Sequence, residues 1–160
     1  MTLASHSPRG EQFLARQHVI VEACAQLWDA ATVHVASATC PVDALFTRRG
    51  VVFRVAEVKA RDLTVRALRQ HGSYLVTFDK LLDGRTMAAR LGADYVLAVG
   101  LDDALVWWPI ADAAGEWVAR FTTARTTTAA TCNGGLITRA NAYLSLDDMR
   151  IALVDTRGVV

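Results

Sequence analysis

Residues 51–60, VVFRVAEVKA, are the stretch that decides the fold. Valine and phenylalanine dominate it, and such residues are typical of a β-strand. Glu57 and Lys59 stand two positions apart near its end, and side chains two apart on a strand project from the same face. Burying charged side chains costs free energy unless they are paired or used. The stretch therefore predicts a buried strand that ends in functional residues.

A second strand is predicted at residues 42–47, joined to the first through residues 48–50. We expect these three residues to form a hairpin loop with a left-handed glycine at its end. Thr47 then lies opposite Val51, and one set of alternating side chains shares a face of the hairpin. That face is predicted to comprise Asp43, Leu45, Phe53, Val55, Glu57 and Lys59.

In this register Asp43 faces Val55, so that Asp43 and Glu57 are diagonal neighbours. Their backbone positions would lie about 7–8 Å apart, which lets the two carboxylates converge on one ion. Magnesium prefers oxygen ligands and keeps several waters, so two carboxylates and the Val58 carbonyl are enough protein ligands. We expect Lys59, beside them, to orient or deprotonate an attacking water and to offset developing negative charge. This pattern predicts hydrolysis of a phosphodiester with Mg²⁺, or Mn²⁺ as a substitute.

The lysines support this interpretation. Lys59 and Lys80 are the two lysines among 17 basic residues, and all the others are arginines. An ammonium is a compact point charge, whereas a guanidinium is planar and stays charged. Lys80 falls in the first turn of a predicted helix, where a cation opposes the helix dipole. Both lysines are therefore candidates for chemistry.

Other segments predict helices and strands around this hairpin. The apolar stripe of residues 11–29 predicts an amphipathic helix, and a second helix is predicted at 78–91 between Thr77 as N-cap and Gly92 as C-cap. Further strands are predicted at 32–37, 74–76, 95–101, 105–110 and 136–138. We expect a loose tail at residues 1–10, a loop at Thr126–Thr128 within the threonine-rich stretch 122–131, a turn at 133–135 and a short helix at 146–151.

Composition limits the class of protein. A chain of 160 residues with 52% hydrophobic and 21% charged residues predicts one globular domain. Cys24, Cys40 and Cys132 are widely spaced, so we expect reduced thiols and no zinc site. The chain shows no secretion signal and no apolar run long enough to span a membrane, which predicts a soluble cytoplasmic protein.

Charge is unevenly distributed. Residues 48–90 hold ten basic residues against four acidic ones, a balance of +6, while the rest of the chain balances at −5. A basic middle that also holds the candidate site favours a polyanionic substrate. The alternative is an ordinary solvated surface with uneven charge.

The order of elements, with Asp43 followed by Glu57-Val58-Lys59, resembles the PD-(D/E)XK nuclease superfamily over about residues 11–110. The likeness is to its small phage-type and Holliday-junction-resolvase-like members. It implies an α/β, restriction-endonuclease-like αβββαβ core with a mixed central sheet flanked by helices, and a C-terminal extension at 111–160. The sequence departs from the family motif by one residue inserted between Pro41 and Asp43.

The resemblance also implies further roles. Divalent-metal-dependent hydrolysis of DNA inside a host cell is the implied activity, and many relatives act as homodimers. Glu22 matches a glutamate that relatives carry on the first helix, and Lys80 matches a polar residue on the helix after the motif strand. We expect the DNA backbone to be bound by an arginine set comprising Arg48, Arg49, Arg61, Arg66, Arg69 and Arg85.

Two alternatives remain open on the sequence alone. The chain could be a catalytically silent domain of the same fold that binds DNA or a protein partner. Asp43, Glu57 and Lys59 could also form a purely structural salt bridge, in which case Lys59→Met would be tolerated with activity unchanged.

Overall fold

The computed structural model describes residues 8–34, 40–129 and 135–152. This part of the chain forms three α-helices, nine β-strands and one short 3₁₀ helix. None of the helices in these ranges is long and apolar enough to cross a membrane. The helices are α1 (Pro8–Leu27), α2 (Val65–His71) and α3 (Phe78–Leu91), and the 3₁₀ helix is Leu146–Asp148. The strands are β1 (Ala31–His34), β2 (Ala44–Arg48), β3 (Val51–Ala60), β4 (Ser73–Thr77), β5 (Asp94–Gly100), β6 (Leu105–Ala111), β7 (Phe121–Ala129), β8 (Leu136–Ser145) and β9 (Arg150–Ala152).

Six strands form the central sheet in the order β1-β2-β3-β5-β6-β9. β3 and β5 are parallel, and the other neighbours in this sheet are antiparallel. One apolar cluster lies between the sheet and α1, and another lies between the sheet and α3. The predicted α/β class, with a mixed central sheet flanked by helices, is therefore confirmed.

A second sheet includes a strand from the connection between β3 and β5. That connection contains α2, β4 and α3, and β4 pairs with the later strands in the order β4-β8-β7. The loop predicted at Thr126–Thr128 is wrong, because Phe121–Ala129 is strand β7. Threonine is a good strand former, and the hydroxyls of Thr127 and Thr138 contact each other across the pair at 2.8 Å. Threonine is polar, as loop residues often are, but its β-branching favours a strand here.

The C-terminal segment also differs from prediction. Strand β8 extends to Ser145, well beyond the predicted 136–138. The predicted helix at 146–151 is a 3₁₀ turn followed by β9. Ser145 caps this turn by accepting a hydrogen bond from the Asp147 amide. Such a cap can begin a single 3₁₀ turn, and a longer helix does not have to follow it. Most of the turn predicted at 133–135 lies outside the described residues.

The β2–β3 hairpin has a tighter turn than predicted. Arg49 and Gly50 form a two-residue turn with φ values of 52° and 78°, and Arg48 pairs with Val51. Two residues with positive φ suit a hairpin because their backbone twist matches that of the strands. The predicted three-residue loop, with Thr47 opposite Val51, is therefore wrong.

A β-bulge then shifts the pairing by a further residue, between Phe46 and Thr47. Phe53 packs with the cluster under α1, and the Arg54 guanidinium lies over the rings of Trp28 and Phe53 at 4.5 and 5.5 Å. Two successive side chains therefore point to the α1 side. The predicted placement of Phe53 on the face of Val55 is wrong for this reason.

The tighter turn and the bulge together shift the pairing of β2 with β3 by two residues from the predicted register. Leu45 pairs with Val55, and continuing that register places Asp43 directly opposite Glu57 and not opposite Val55. Because side chains alternate with a period of two, Asp43 stays on the face where it was predicted. The corrected register therefore still keeps Asp43 and Glu57 on one face of the hairpin.

Helix ends follow the capping signals in part. α1 begins at Pro8, so the predicted tail is wrong for residues 8–10, and residues 1–7 lie outside the described ranges. Thr77 stands at the N-cap of α3 but makes no side-chain capping bond, whereas Gly92 ends the helix in the left-handed conformation (φ 62°). The predicted strand at 32–37 is observed as Ala31–His34, and residues 35–39 are not described.

Candidate active site

Asp43 and Glu57 meet where β2 begins and β3 approaches its end. The Asp43 amide donates to the Ala56 carbonyl at 2.9 Å, which pins this residue to β3 just before β2. The Asp43 side chain then accepts a hydrogen bond from the Val58 amide at Oδ2, at 2.7 Å. Its carboxylate is therefore held against the backbone of the residue that follows Glu57.

Glu57 is almost fully buried, with 1% of its surface exposed. Its Oε1 accepts a hydrogen bond from the Lys59 ammonium, while Oε2 is buried without a hydrogen-bond partner among the described residues. Burial raises the pKa of Glu57; Lys59 opposes this shift and the nearby Asp43 carboxylate adds to it. One buried oxygen is thus left without a donor, an arrangement that costs free energy.

Lys59 and Lys80 bring two ammonium groups to this carboxylate. The Lys59 side chain is 24% exposed, so it contacts Glu57 and still faces solvent. Lys80, in the first turn of α3, is close enough for its charge to help lower the pKa of Glu57. The structure therefore groups Asp43, Glu57, Lys59 and Lys80 on the α3 side of the sheet.

Tyr95 fixes the backbone that carries Lys80. Its hydroxyl donates to the Lys80 carbonyl at 3.2 Å, and its ring lies against α3. At Gly84 a Cβ atom would stand 2.2 Å from Tyr95 Cζ, far inside contact distance. Gly84 is therefore required for the close approach of α3 to β5, which sets the position of Lys80.

Gln17 reaches the site from α1, and sequence reasoning missed it. Its Nε2 donates to the Val58 carbonyl at 3.3 Å. The signal was present, since Gln17 lies four residues before Val21 and three before Ile20, inside the apolar stripe. A polar residue within a buried stripe indicates a polar partner.

Glu22 is placed elsewhere. It is exposed on α1, where its Oε1 accepts a hydrogen bond from Thr32 of edge strand β1 at 3.4 Å. α1 packs on the opposite face of the sheet from Glu57, and five residues of helix separate Glu22 from Gln17 by about 7.5 Å along the axis. The structure does not bring Glu22 to the carboxylate pair.

The arginines near the site follow β3 and form part of α2. The Arg61 amide donates to the Gly100 carbonyl at 2.9 Å, and its Nη1 donates to the Ala60 carbonyl at 3.0 Å. Arg66 and Arg69 are exposed and, being three residues apart on α2, share one side of that helix. These three cations lie beyond the end of the strand that carries Glu57 and Lys59.

The hairpin arginines lie at the other end of the same strand. Arg48 donates to the carbonyls of Trp28 and Asp29, at 2.5 and 3.3 Å, and so caps the C-terminal end of α1. Eight residues of strand separate Val51 from Lys59, which corresponds to about 26 Å. Arg48 and Arg49 are therefore remote from the carboxylates. Arg85 stacks its guanidinium on Trp117 at 4.5 Å.

The donor set suits a hard divalent cation. No group of three or more His, Cys, Asp or Glu side chains lies together in the part of the chain that the structure describes. Zinc sites need such a cluster, whereas magnesium binds through one or two carboxylates and keeps several waters. A cation would supply the contact that Oε2 of Glu57 lacks among the described residues. The Val58 carbonyl oxygen accepts one hydrogen bond from Gln17 and has a second lone pair for a cation.

The sequence matches one family profile, and the fold resembles a solved structure. Residues 14–139 match the profile of a family described as "Phage putative PDDEXK endonuclease". Among solved structures, a Holliday junction resolvase from the archaeal hyperthermophile Archaeoglobus fulgidus is similar over 56% of this chain and 74% of its own, with 20% sequence identity and a TM-score of 0.43. A search of curated proteins found no match.

Proposed function

The chain belongs to the phage PDDEXK endonuclease family, and we propose that it is a divalent-metal-dependent nuclease that hydrolyses phosphodiester bonds of DNA. The observation that carries this proposal is the position of Asp43, held by the Val58 amide, near the buried Glu57, whose Oε2 has no partner among the described residues. A purely structural carboxylate at this depth would be expected to have both oxygens satisfied. The unsatisfied oxygen instead supports a role in binding.

Asp43, Glu57 and the Val58 carbonyl are the residues that would hold Mg²⁺, or Mn²⁺ in its place. Bound there, the cation would polarise the scissile phosphate and lower the pKa of a coordinated water. Asp43 is already oriented by the Val58 amide, and Gln17 positions the Val58 carbonyl. Preorganised ligands of this kind reduce the cost of binding.

Lys59 acts on the substrate side of the carboxylates. Its ammonium contacts Glu57 and is partly exposed, so it can donate a hydrogen bond to the attacking water and stabilise negative charge on the phosphate. Lys80 adds a second positive charge on the α3 side and contacts a phosphate oxygen. Gln17 takes the place that the resemblance implied for Glu22.

Phosphates of the DNA backbone are bound by Arg61, Arg66 and Arg69. These residues lie at the same end of β3 as Lys59, and Arg66 and Arg69 are exposed. Paired guanidinium donors suit phosphate oxygens well. The excess of basic residues between positions 48 and 90 supports a polyanionic substrate.

Cleavage of DNA by Glu57→Gln tests the proposed function. We expect wild type to nick supercoiled plasmid with Mg²⁺ and to stop when EDTA is added. Glu57→Gln should reduce the rate by at least about 100-fold, because it removes a charged ligand from the site. Glu116→Gln, a change at an exposed glutamate outside the site, is the matched control and should retain wild-type activity. Equal cleavage by wild type and Glu57→Gln, with or without EDTA, would reject the proposal.

A further inference from the structure

A cavity of about 410 Å³ lies beside the site, between α2, edge strand β4 and the segment after β3. Its volume falls within the range of pockets that take up small organic molecules. Apolar and aromatic side chains form much of its wall, and Arg61 and His71 stand among them. Its lining includes Arg61, Leu63, His71, Tyr74, Leu75 and Tyr143.

Tyr74 supplies a buried polar group to this cavity. The residue is 5% exposed, and its hydroxyl lies beside the Arg61 side chain, whose charge and hydrogen bond lower the pKa of Tyr74. A buried tyrosine hydroxyl usually has a partner. The Arg61 Nη1 donates to the Ala60 carbonyl, and its guanidinium also lies beside the Tyr74 hydroxyl. A guanidinium has five N–H donors, so Arg61 keeps donors for an acceptor in the cavity.

The cavity is next to the reacting groups. Arg61 follows Lys59 by two residues, directly after β3, a backbone distance of about 6.6 Å. Burial raises the pKa of Tyr74, Arg61 lowers it and Glu57 raises it, so the hydroxyl lies within electrostatic range of both residues. A ligand in this cavity would be a close neighbour of a phosphate bound at Glu57 and Lys59.

We propose that this cavity receives an unpaired nucleotide of the DNA, adjacent to the scissile phosphate. The proposal rests on the nuclease function above. A phosphate alone would leave the walls formed by Leu63 and Leu75 without a partner, whereas a base can pack against them and against the Tyr143 ring. Arg61 then binds the nucleotide's phosphate, and the Tyr74 hydroxyl donates to an acceptor on the sugar or base.

The class of substrate follows from this occupant. Bases of a continuous duplex are stacked and paired, and extruding one costs a few kcal/mol. A nucleotide that is already unpaired, in a flap, bulge, gap or branch, enters without most of that cost. We infer that the enzyme prefers DNA that carries an unpaired nucleotide at the cleavage position over continuous duplex.

Two matched substrates test this preference. One is a continuous duplex, and the other is the same duplex with a one-nucleotide bulge. We expect wild type with Mg²⁺ to cleave the bulged substrate next to the bulge, with kcat/KM about 10- to 100-fold higher, since every 1.4 kcal/mol is tenfold. Leu75→Trp fills the cavity and should reduce this ratio towards one.

Leu91→Trp is the control for that variant. Leu91 is 42% exposed, against 40% for Leu75, and lies outside the cavity. It should keep the wild-type ratio. A wild-type ratio near one, or a ratio that Leu75→Trp leaves unchanged, would overturn the inference. Both results leave the nuclease proposal unaffected. That proposal fails if wild type cleaves neither substrate or if Glu57→Gln cleaves as well as wild type.

Binding without cleavage provides a second measurement, and it does not depend on any variant folding. In EDTA, the anisotropy of the two labelled duplexes gives their Kd values for wild type. We expect the bulged duplex to bind at least about tenfold more tightly, since part of the base-extrusion cost is avoided. Equal Kd values for the two duplexes would contradict the proposed pocket.

Discussion

Glu57 combines deep burial, a charged neighbour and an unsatisfied oxygen in one residue. A buried ion pair such as Glu57–Lys59 contributes little net stability, because desolvation offsets the attraction between the charges. The additional carboxylate of Asp43 makes ionised Glu57 less favourable still. At the residue scale, the site therefore costs the metal-free protein stability, and the proposed cation would offset that cost.

Lys59→Met separates the catalytic interpretation from a structural salt bridge. The change removes the ammonium but keeps an apolar stem of similar length, so the protein should stay folded. We expect its cleavage rate with Mg²⁺ to fall at least about 100-fold, since a charge at the reacting phosphate is lost. Lys59→Arg should not restore the rate, because a guanidinium is planar and demands a different geometry. Wild-type activity in Lys59→Met would show that the pair is only structural.

The stability of Glu57→Gln should depend on pH in a defined direction. The pKa of Glu57 is raised above its ordinary value of 4.5, mainly by burial. A raised carboxyl pKa means that its stabilising contribution is present at low pH and is lost as pH rises through the folded-state pKa. In EDTA, the Tm of Glu57→Gln minus that of wild type should therefore increase from pH 4 to pH 8. A difference that is constant or decreases over this range would contradict the burial of an ionised Glu57.

The alternation of side chains along β2 and β3 was enough to predict that Asp43 and Glu57 share a face. A shift of two residues in the pairing of these strands returns Asp43 to the same face. Gln17 and Tyr74 could not be found in this way. Gln17 belongs to another element, and its contact with the Val58 carbonyl depends on how α1 lies across the sheet. Tyr74 becomes relevant only through the second sheet, which no local pattern predicts.

Elements with strong end signals were predicted best. β3 and α3 were predicted with their observed bounds, β3 from its run of β-branched residues and α3 from Gly92 at its C-cap. β7 was missed, and the β2–β3 hairpin was placed in the wrong register. The first error came from threonine, which suits both loops and strands, and the second from a shorter turn and a bulge that each shift the pairing by one residue.

Gly84→Ala tests how α3 positions Lys80. The added Cβ would overlap the Tyr95 ring, so α3 must shift away from β5. Overpacking of this kind costs about 1–3 kcal/mol, which should exceed the ~1 kcal/mol gained from helix propensity. We expect a lower Tm and, at temperatures where the protein is folded, slower cleavage. Asp83→Ala, an exposed change in the same helix, is the control and should preserve both. A Gly84→Ala protein with wild-type Tm and activity would contradict this close approach.

At the scale of the whole molecule, the two sheets and three helices place cations at one end of β3. Arg61 follows the strand, α2 carries Arg66 and Arg69, and the cavity opens between them and β4. The other end of the strand carries Arg48, which is occupied in capping α1. A DNA strand at the site would therefore run past α2.

The salt dependence of DNA binding tests whether DNA contacts α2. Each phosphate contact contributes about 0.9 to the slope of log K against log salt for duplex DNA. Replacing both Arg66 and Arg69 with alanine should reduce the slope by about 1.8. Arg90 and Arg150 are exposed arginines on other elements, and their double alanine variant is the control with the same change in net charge. If both double variants changed the slope equally, α2 would have no special role in binding.

The most direct measurement of the central claim is anomalous scattering from crystals grown with Mn²⁺. The account predicts an anomalous peak between the carboxylates of Asp43 and Glu57, close to the Val58 carbonyl, in wild type and its loss in Glu57→Gln. A map in which no peak lies between these carboxylates, or in which Asp43 points to the other side of the sheet, would contradict it.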